Sequence, residues 1–484
     1  MKKKFRHLLA VLCAAFILMQ TIPLSVLAED LTNHSNPASD KVIDLPNDES
    51  RSDAEPEIIG EDISKREPSI KHFRRSDGSY TAAIYSEPVH YKENGKFVDI
   101  DNTLISDNSK YYTNNGNNFK VKLPKTAESN TPIEVTYNGY TLSWTMESQK
   151  NSSARVKQPE SKAAKLSELD SEVAKAKTKK EKIKLSNNKK TTLFNQKSSV
   201  TYNEALNNVD LKYDIQSTKL KESLVLNALP EQKSFTFYIQ SGELTSKLQK
   251  DNSVRFYKDN STEPEFMIAA PYMFDNKQEY SQDIKVTLAS ITNGYRYTIT
   301  PDSGWLEDKA RVWPITIDPT IIADGGWKQY DAAYVMQSQP KTNYNNIWLR
   351  AGAIGESRSF IKFNIPPSIG SSQRIISATM NLYYNQTGIS QGYGTDDGIQ
   401  LNLHCVTKSW NKSSVTWETK PDYEATVTDY IMTKFSNGYT TFDITNLVEK
   451  WNQGTTNNGV MVKISNATQY AGKEAWFYSE DANY

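Results

Sequence analysis

Residues that could act as an acid, a base, a nucleophile or a metal ligand are sparse in this 484-residue chain. Its five histidines include His72, His90 and His404, which are widely separated. The sequence has no H-E-x-x-H, G-x-S-x-G, phosphate-loop or C-x-x-C motif. His404 precedes Cys405, but neighbouring side chains of a strand point to opposite faces, which predicts a buried thiol and no activated thiolate. These observations predict a protein that is not an enzyme.

Carboxylates could still support hydrolysis of a polysaccharide, because a glycosidase needs only two of them. The chain has 57 acidic residues, and no particular pair stands out from the others. Asp443 is the most conspicuous, in the tripeptide Asp-Ile-Thr. We expect it to cap the helical turn that leads to Leu447 and Trp451. A hydrolase is therefore kept as a third hypothesis only.

Tryptophans mark the most strongly patterned part of the sequence, between Trp410 and Trp451. Aromatic faces can stack on sugar rings, so these residues could be ligand contacts. Trp410, Trp417 and Trp451 are interspersed with apolar residues, however, a pattern typical of core positions. Together with Asp443 they form a structural core signature and not a binding site.

Aromatic residues in Asn- and Gly-rich stretches are better candidates for ligand contacts, because such loops face water. Tyr344, Trp348 and Tyr393 meet this description, and we expect them to contact carbohydrate. The alternative is that these loop aromatics close the ends of the β-sandwich.

A structural calcium ion is the only cofactor that the sequence suggests. Asp331, Asp396 and Asp397 offer the hard oxygen ligands that calcium prefers. No calcium-loop spacing is present, so Asp331 could instead belong to the start of a strand and the other two to a solvated turn.

The N-terminal residues 1–28 have the features of a secretory signal peptide. Basic residues precede an apolar run from Leu8 to Met19, and Val26-Leu27-Ala28 offers a cleavage site. A retained membrane anchor is the alternative. No later stretch is long and apolar enough to span a membrane after cleavage. Cys405 is then the single remaining cysteine, so no intramolecular disulfide can form.

Charge gives no reason to expect a nucleic acid partner. The net charge of the whole chain is zero, and removal of the four basic residues of the signal leaves it at −4. Residues 29–66 are acidic, contain several prolines and predict a disordered spacer.

The rest of the chain predicts a mainly β protein. Residues 67–320 alternate apolar and polar side chains between turn signals such as Asn94-Gly95 and Asn138-Gly139, which indicates an antiparallel β-rich scaffold. A charged, amphipathic helical insertion interrupts it at residues 156–190, and we expect it to pack lightly on the sheet or on itself; the alternative is a basic helix that binds a partner. Residues 327–484 predict a β-sandwich of the jelly-roll type.

The order of these elements resembles known extracellular proteins. Residues 70–320 resemble the β-rich region that precedes the binding domain in wall-associated YD-repeat (Rhs-type) surface proteins of Gram-positive bacteria. The C-terminal part is similar to the DNRLRE domain, also described as carbohydrate-binding module family 96. The positions that carry this second resemblance are Asp331, Asn343-Tyr344, Leu349, 358–363, 376–378, Trp410, 415–417, 443–445, Val448, Trp451, Phe477 and Ser479-Glu480.

The resemblance implies a secreted, non-catalytic, cell-wall-associated protein whose C-terminal β-sandwich binds cell-wall or extracellular polysaccharide. The alternative is the structural N-terminal stalk of a longer YD-repeat protein that delivers a toxin. The family pattern continues with one more strand after Ser479-Glu480, whereas this chain ends at Tyr484. We therefore expect the domain to be truncated at its C-terminus.

Overall fold

A computed structural model describes residues 24–29, 56–107, 109–277, 279–323, 330–345, 348–365, 369–385, 398–433 and 438–479, with the backbone alone for 24–29 and 330. Strands make up 49% of the structure and helices 11%, which confirms the prediction of a mainly β protein. Within the described ranges no helix is long and apolar enough to cross a membrane.

The strands before residue 330 are short and most are joined by tight turns. They are β1 Leu24–Glu29, β2 Ile58–Glu61, β3 Ile70–Arg75, β4 Tyr80–Ile84, β5 His90–Glu93, β6 Lys96–Asp99, β7 Asp101–Ser106, β8 Tyr111–Gly116, β9 Lys120–Pro124, β10 Thr126–Ala127, β11 Ile133–Tyr137, β12 Tyr140–Met146, β13 Ser152–Lys157, β14 Ser198–Leu206, β15 Val209–Ile215, β16 Lys219–Leu226, β17 Phe235–Gln240, β18 Thr245–Leu248, β19 Val254–Tyr257, β20 Pro264–Ile268, β21 Tyr272–Phe274, β22 Tyr280–Ser281, β23 Ile284–Ile291, β24 Gly294–Pro301, β25 Ile315–Asp318 and β26 Ile321–Ala323.

The C-terminal strands are β27 Tyr330–Met336, β28 Trp348–Gly352, β29 Ser357–Phe363, β30 Arg374–Tyr384, β31 Gln400–Cys405, β32 Asp429–Met432, β33 Gly438–Asp443, β34 Val460–Ile464 and β35 Glu474–Tyr478. The α-helices are α1 Lys162–Lys175, α2 Lys179–Thr191, α3 Ser303–Leu306 and α4 Thr445–Asn452. A single 3₁₀ turn covers Ile63–Lys65.

The chain divides into two compact units, each built from separate segments. The C-terminal unit comprises residues 1–86, 163–192 and 328–484, and the middle unit comprises residues 87–162 and 193–327. Each unit has its own apolar core.

One branched antiparallel sheet forms the C-terminal unit, in the strand order β2-β3-β4-β1-β30-β35-β28-β29-β34-β31-β32. Strand β27 pairs with β29, and β33 pairs with β30. The sheet curves into a near-barrel around a core that includes Phe442, Val448 and Phe477, all fully buried.

Antiparallel sheets also form the middle unit. An eight-stranded sheet has the order β23-β24-β17-β12-β11-β9-β8-β7, and a larger sheet runs from β10 through β13, β14, β15, β16, β26, β20 and β19 to β18. The predicted Asn-Gly turns connect β5 to β6 and β11 to β12. Both residues of each turn have positive φ, between 49° and 84°, as this type of hairpin requires.

Residues 56–66 are not part of a disordered spacer, so the predicted boundary at residue 66 is wrong. Strand β2 pairs with β3, and Ile58 is 1% exposed. The Ile58 N–H donates to Asn187 Oδ1 of α2 at 2.8 Å. The acidic composition of this segment gave no indication that Ile58 is buried, because the partners of Ile58 are distant in sequence. Residues 30–55 lie outside the described part of the chain.

Two other predicted boundaries also differ from the structure. Strands β3 and β4, assigned from the sequence to the scaffold, belong to the sheet of the C-terminal unit. The helical insertion begins at Lys162, because residues 156 and 157 still pair with β14 in β13. None of the side chains of α1 is fully buried, as a lightly packed insertion would require.

Residues 24–28, the last of the predicted signal peptide, form most of strand β1. The strand pairs with β4 on one side and with β30 on the other. Cleavage after Ala28 stays a prediction, and it would remove most of this strand.

Candidate functional site

Four neighbouring strands of the C-terminal unit, β33, β30, β35 and β28, present one face to the core and the other outward. On β28, Leu349 and Ala351 are buried in the core, so Trp348 and Arg350 point to the outer face. The register pairs Trp348 with Tyr478 and Arg350 with Trp476, which places these four side chains on the same face.

Aromatic rings form a continuous series across this outer face. The ring centroids of Trp348 and Tyr478 are 4.8 Å apart, and those of Trp348 and Trp476 are 5.5 Å apart. Tyr478 stacks on Tyr383 at 5.6 Å, and Tyr383 meets Tyr439 edge-on at 5.2 Å. We call these five residues the aromatic band. All except Trp348 are half-buried, so part of their ring surface faces solvent.

A buried ion pair holds one end of the aromatic band in place. Arg350 lies over the ring of Trp476, 4.5 Å from its centroid, and its Nε donates to Glu474 Oε2 at 2.9 Å. Glu474 is 3% exposed and also accepts from Ser357 Oγ at 2.5 Å and from Trp476 Nε1 at 2.7 Å. Trp476 is therefore fixed both by its indole N–H and by a cation on its face.

Glu474 stabilises the charged form of the neighbouring Arg350. Burial lowers the pKa of Arg350, but the adjacent Glu474 carboxylate more than offsets this, and the net effect is a raised pKa. Arg350 therefore stays protonated, and it forms an ion pair with the Glu474 carboxyl group.

Tyr344 extends the aromatic surface beyond Arg350. Its ring stacks on that of Tyr334 with centroids 4.4 Å apart and an interplanar angle of 13°. Tyr334 is 4% exposed, whereas Tyr344 is half-buried, and burial raises the pKa of the Tyr344 hydroxyl. Arg350 also lies over Tyr334, at 5.6 Å.

The prediction that Trp348 lies in a water-facing loop is wrong. Trp348 is the first residue of β28 and is 3% exposed, because Tyr478 and Trp476 cover its ring. It supports the exposed rings of the aromatic band from below. Tyr393 lies outside the described residues, so its predicted role stays a prediction.

The four residues of the predicted core signature occupy different environments. Trp451 of α4 is 6% exposed and packs edge-on against Phe363. Trp410 is half-buried and donates from Nε1 to the Asn458 carbonyl at 2.9 Å. Trp417 is half-buried between the cations of Arg358, at 4.6 Å, and Lys420, at 4.1 Å.

Asp443 is exposed and precedes helix α4, but Ile444 occupies the N-cap position without a side-chain hydrogen bond, so Asp443 is not the capping residue that the sequence predicted. Its Oδ1 accepts from the Thr445 N–H at 2.8 Å and from the Thr445 hydroxyl at 2.7 Å. The carboxylate thus satisfies the first backbone N–H of the helix.

Asp331, the first of the predicted calcium ligands, is a half-buried residue of β27 opposite Lys362. Asp396 and Asp397 lie outside the described residues, and elsewhere in the described chain no three His, Cys, Asp or Glu side chains gather as a metal site would require. The calcium ion stays a prediction. Cys405 is buried, and burial raises the pKa of its thiol.

Sequence reasoning missed four of the five residues of the aromatic band: Tyr383, Tyr439, Trp476 and Tyr478. The alternation of residues in two strands could have indicated these positions. Trp476 alternates with Ala475 and Phe477, which are fully buried, and Tyr383 lies between the buried Leu382 and Tyr384. Strands with aromatic residues at both alternating positions must expose part of them.

The C-terminal third of the chain is similar to a known protein family. Residues 327–484 match the profile of carbohydrate-binding module family 96. The region that carries the aromatic band is therefore similar to a module named for carbohydrate binding, as predicted from its sequence.

The whole chain is similar to part of several longer bacterial proteins. It is 23% identical to the tRNA3(Ser)-specific nuclease WapA of Bacillus spizizenii and 24% identical to the tRNA nuclease WapA of Bacillus subtilis strain 168. Each match covers 98% of this chain and 20% of the relative, so the chain spans about a fifth of the length of these relatives. These matches confirm the resemblance to wall-associated surface proteins.

Among solved structures, a YidC insertase is matched over 44% of this chain with 12% identity and a TM-score of 0.14. A similarity this low gives no information about the fold or the function.

Proposed function

We propose that this chain is a secreted, non-catalytic surface protein that binds cell-wall or extracellular polysaccharide through the outer face of its C-terminal unit. The observation that carries the proposal is the aromatic band, which lies within the region similar to carbohydrate-binding module family 96. The module and the WapA relatives both support a location at the cell wall or outside the cell.

The aromatic band has the physical properties that a glycan platform needs. A sugar ring has an apolar face of C–H groups and a rim of hydroxyls, so it fits flat ring surface next to hydrogen-bonding groups. The exposed rings of Tyr383, Trp476 and Tyr478 supply the surface. Thr441 and Asn381, joined by a 2.7 Å hydrogen bond on the same face, supply polar groups beside it.

Rigidity of the site would add to affinity. Trp476 is held by Glu474 and Arg350, and Tyr478 is held by Trp348 and Tyr383. Rings already fixed in the free protein lose little conformational entropy on binding, which improves affinity without extra contacts.

A second candidate function is the structural stalk of a longer protein. The alignment of 98% of this chain with a fifth of each WapA relative favours it. The tRNA nuclease names describe those longer proteins, and we propose no nuclease activity for this chain. Stalk and binding module are compatible functions.

The decisive experiment is co-sedimentation of the full chain with purified Gram-positive cell walls and a panel of insoluble polysaccharides. We expect saturable binding that Tyr383→Ala and Trp476→Ala each weaken about tenfold or more, the loss that about 1.4 kcal/mol produces. Trp417→Ala is the matched control, since its half-buried ring lies between Arg358 and Lys420 instead of in the aromatic band.

Each variant is first checked for an unchanged circular dichroism spectrum. No binding by folded protein across the whole panel, or binding that both band variants retain in full, would contradict the proposal. Addition of EDTA tests the calcium ion predicted at Asp331, Asp396 and Asp397, because a required ion would make binding sensitive to the chelator.

A further inference from the structure

The middle unit contains a cleft that the proposed function does not use. It lies on the outer face of the eight-stranded sheet, between the segment that precedes β11 and the turn that joins β23 to β24. Its volume is about 310 Å³, and its lining includes Asn130, Ser143, Tyr238, Gln240, Ile291 and Asn293. This volume is at the lower end of the range of small-molecule sites, which is about 300–1,000 Å³.

Strand alternation determines which side chains line the floor of the cleft. Trp144 and Ile239 are directed into the core and are at most 5% exposed, so Ser143, Tyr238 and Gln240 point outward. The register pairs Ser143 with Gln240 across β12 and β17, two neighbouring strands inside the sheet. The floor therefore rests on rigid structure.

The wall formed by the β23–β24 turn also has a fixed position. A Cβ atom on Gly294 would lie 2.1 Å from the carbonyl oxygen of Ile239, so only glycine allows this close approach. The preceding Asn293 has a φ of 62°. The turn is thus held tightly against β17, and Asn293 borders the cleft.

The chemistry of the lining selects one class of ligand. Amide and hydroxyl groups of Asn130, Ser143, Gln240 and Asn293 line the cleft, and the charged Glu134 and Arg296, which pair with Ser143 and Tyr238, lie beside it. Tyr238 adds a half-exposed ring whose hydroxyl donates to Glu147, which fixes its orientation. Several neutral donors and acceptors around one ring suit a neutral ligand with many hydroxyls and an apolar face.

We propose that this cleft is a second carbohydrate-binding site, which takes a short neutral segment of a glycan. Tyr238 stacks on one sugar ring, while Ser143, Gln240 and Asn293 bind its hydroxyls. A chain with two separate glycan sites binds a repeating polysaccharide with avidity, since the second contact forms at high effective concentration.

The test uses the full chain with both Tyr383→Ala and Trp476→Ala, so that the aromatic band is disabled. The probes are cellobiose, maltose and the dimer of N-acetylglucosamine, with glucuronic acid as the charged comparison, and binding is followed by saturation-transfer NMR and titration calorimetry. We expect a neutral disaccharide to bind, Tyr238→Ala to weaken this binding at least tenfold, and Tyr238→Phe to retain it. Thr236→Val, on the same face of β17, is the control and leaves binding unchanged.

Three results would overturn the proposal: no binding of any neutral probe by this folded variant, binding that Tyr238→Ala leaves intact, or preference for glucuronic acid. Failure here is distinguishable from failure of the proposed function. If the unmodified chain binds polysaccharide and the band variant binds no sugar, all recognition belongs to the aromatic band.

Discussion

The middle unit buries several tyrosines in its core, whereas the C-terminal unit carries a series of tyrosines and tryptophans on the outer face of its sheet. In the middle unit, Tyr202, Tyr213 and Tyr297 are at most 2% exposed and lie within the core. In the C-terminal unit, aliphatic and phenylalanine side chains fill most of the core, and a series of tyrosines and tryptophans lies outside it. Abundance of aromatic residues therefore does not identify a binding face. Their position relative to the core does.

The units also differ in the surroundings of a buried glutamate side chain. Glu222 of the middle unit is 2% exposed inside the core and accepts from the Tyr213 hydroxyl. Glu474 of the C-terminal unit is equally buried but has an arginine beside it. Burial raises the pKa of the Glu222 carboxyl, whereas the Glu474 carboxyl is bound by the guanidinium of Arg350.

The largest expected loss of stability comes from a side chain in the core of the C-terminal unit, and we compare it with one on the outer face of the same unit. Trp451→Ala removes a buried ring that contacts Phe363 and should lower the free energy of unfolding by about 3–5 kcal/mol. Tyr439→Ala removes one half-exposed ring of the aromatic band and should lower it by only about 0.5–1.5 kcal/mol. Calorimetric melting of both variants measures the difference. Equal losses would mean that the aromatic band is part of the core.

An intermediate effect is the pH dependence of stability that Glu222 causes in the core of the middle unit. Burial raises the pKa of Glu222 from 4.5 to about 8. Between these values the unfolded chain is ionised while the folded chain keeps the proton, so unfolding releases a proton and stability falls as pH rises. The loss is about 1.4 kcal/mol per pH unit across this window.

Glu222→Gln removes this dependence, since the amide cannot ionise. The variant should melt at a higher temperature than the unmodified chain at pH 7.5, and the two should converge near pH 4.5. Melting curves at a series of pH values test this. A variant that is less stable than the unmodified chain at pH 7.5 and converges with it at acid pH would show that the folded protein holds this carboxyl in its charged form.

The smallest effect concerns the outer face of the eight-stranded sheet. Lys122 and Glu134 lie opposite each other on β9 and β11, with Nζ and Oε2 3.1 Å apart and the lysine side chain 50% exposed. Lys122→Ala should lower the free energy of unfolding by about 0.2–1 kcal/mol, because solvent screens the pair. Repeating the denaturation in 1 M NaCl should remove most of the difference. A larger or salt-independent loss would indicate that packing of the Lys122 side chain contributes more than the ion pair.

Local features of the fold could be predicted from the sequence because they depend on neighbouring residues. Asn138 and Gly139 form the predicted turn, and the strands on either side pair from Tyr137 and Tyr140 outward. The alternation in β29 and β30 also lies within short windows, whereas the family resemblance of residues 327–484 rests on the order of many spaced positions.

The aromatic band could not be predicted, because it depends on pairing between distant strands. Trp348 meets Tyr478 only because β28 pairs with β35, and neither sequence segment carries information about that register. The same dependence on distant residues explains why the boundary of the disordered spacer was predicted wrongly. Ile58 is buried by partners such as Arg75 and Asn187, and the acidic residues around it gave no indication of them.

The division of the chain has a consequence for the order in which the protein matures. All residues of the middle unit have been synthesised once residue 327 is complete, whereas the C-terminal unit still lacks residues 328–484. At about 5–20 residues per second, translation of that stretch takes roughly 8–30 s. During this interval the early strands β2 to β4 exist without β30 and the rest of their sheet. Strands β2 to β4 are thus synthesised early but join the rest of their sheet late. A chain whose translation stopped near residue 327 would have a complete middle unit and an incomplete C-terminal unit.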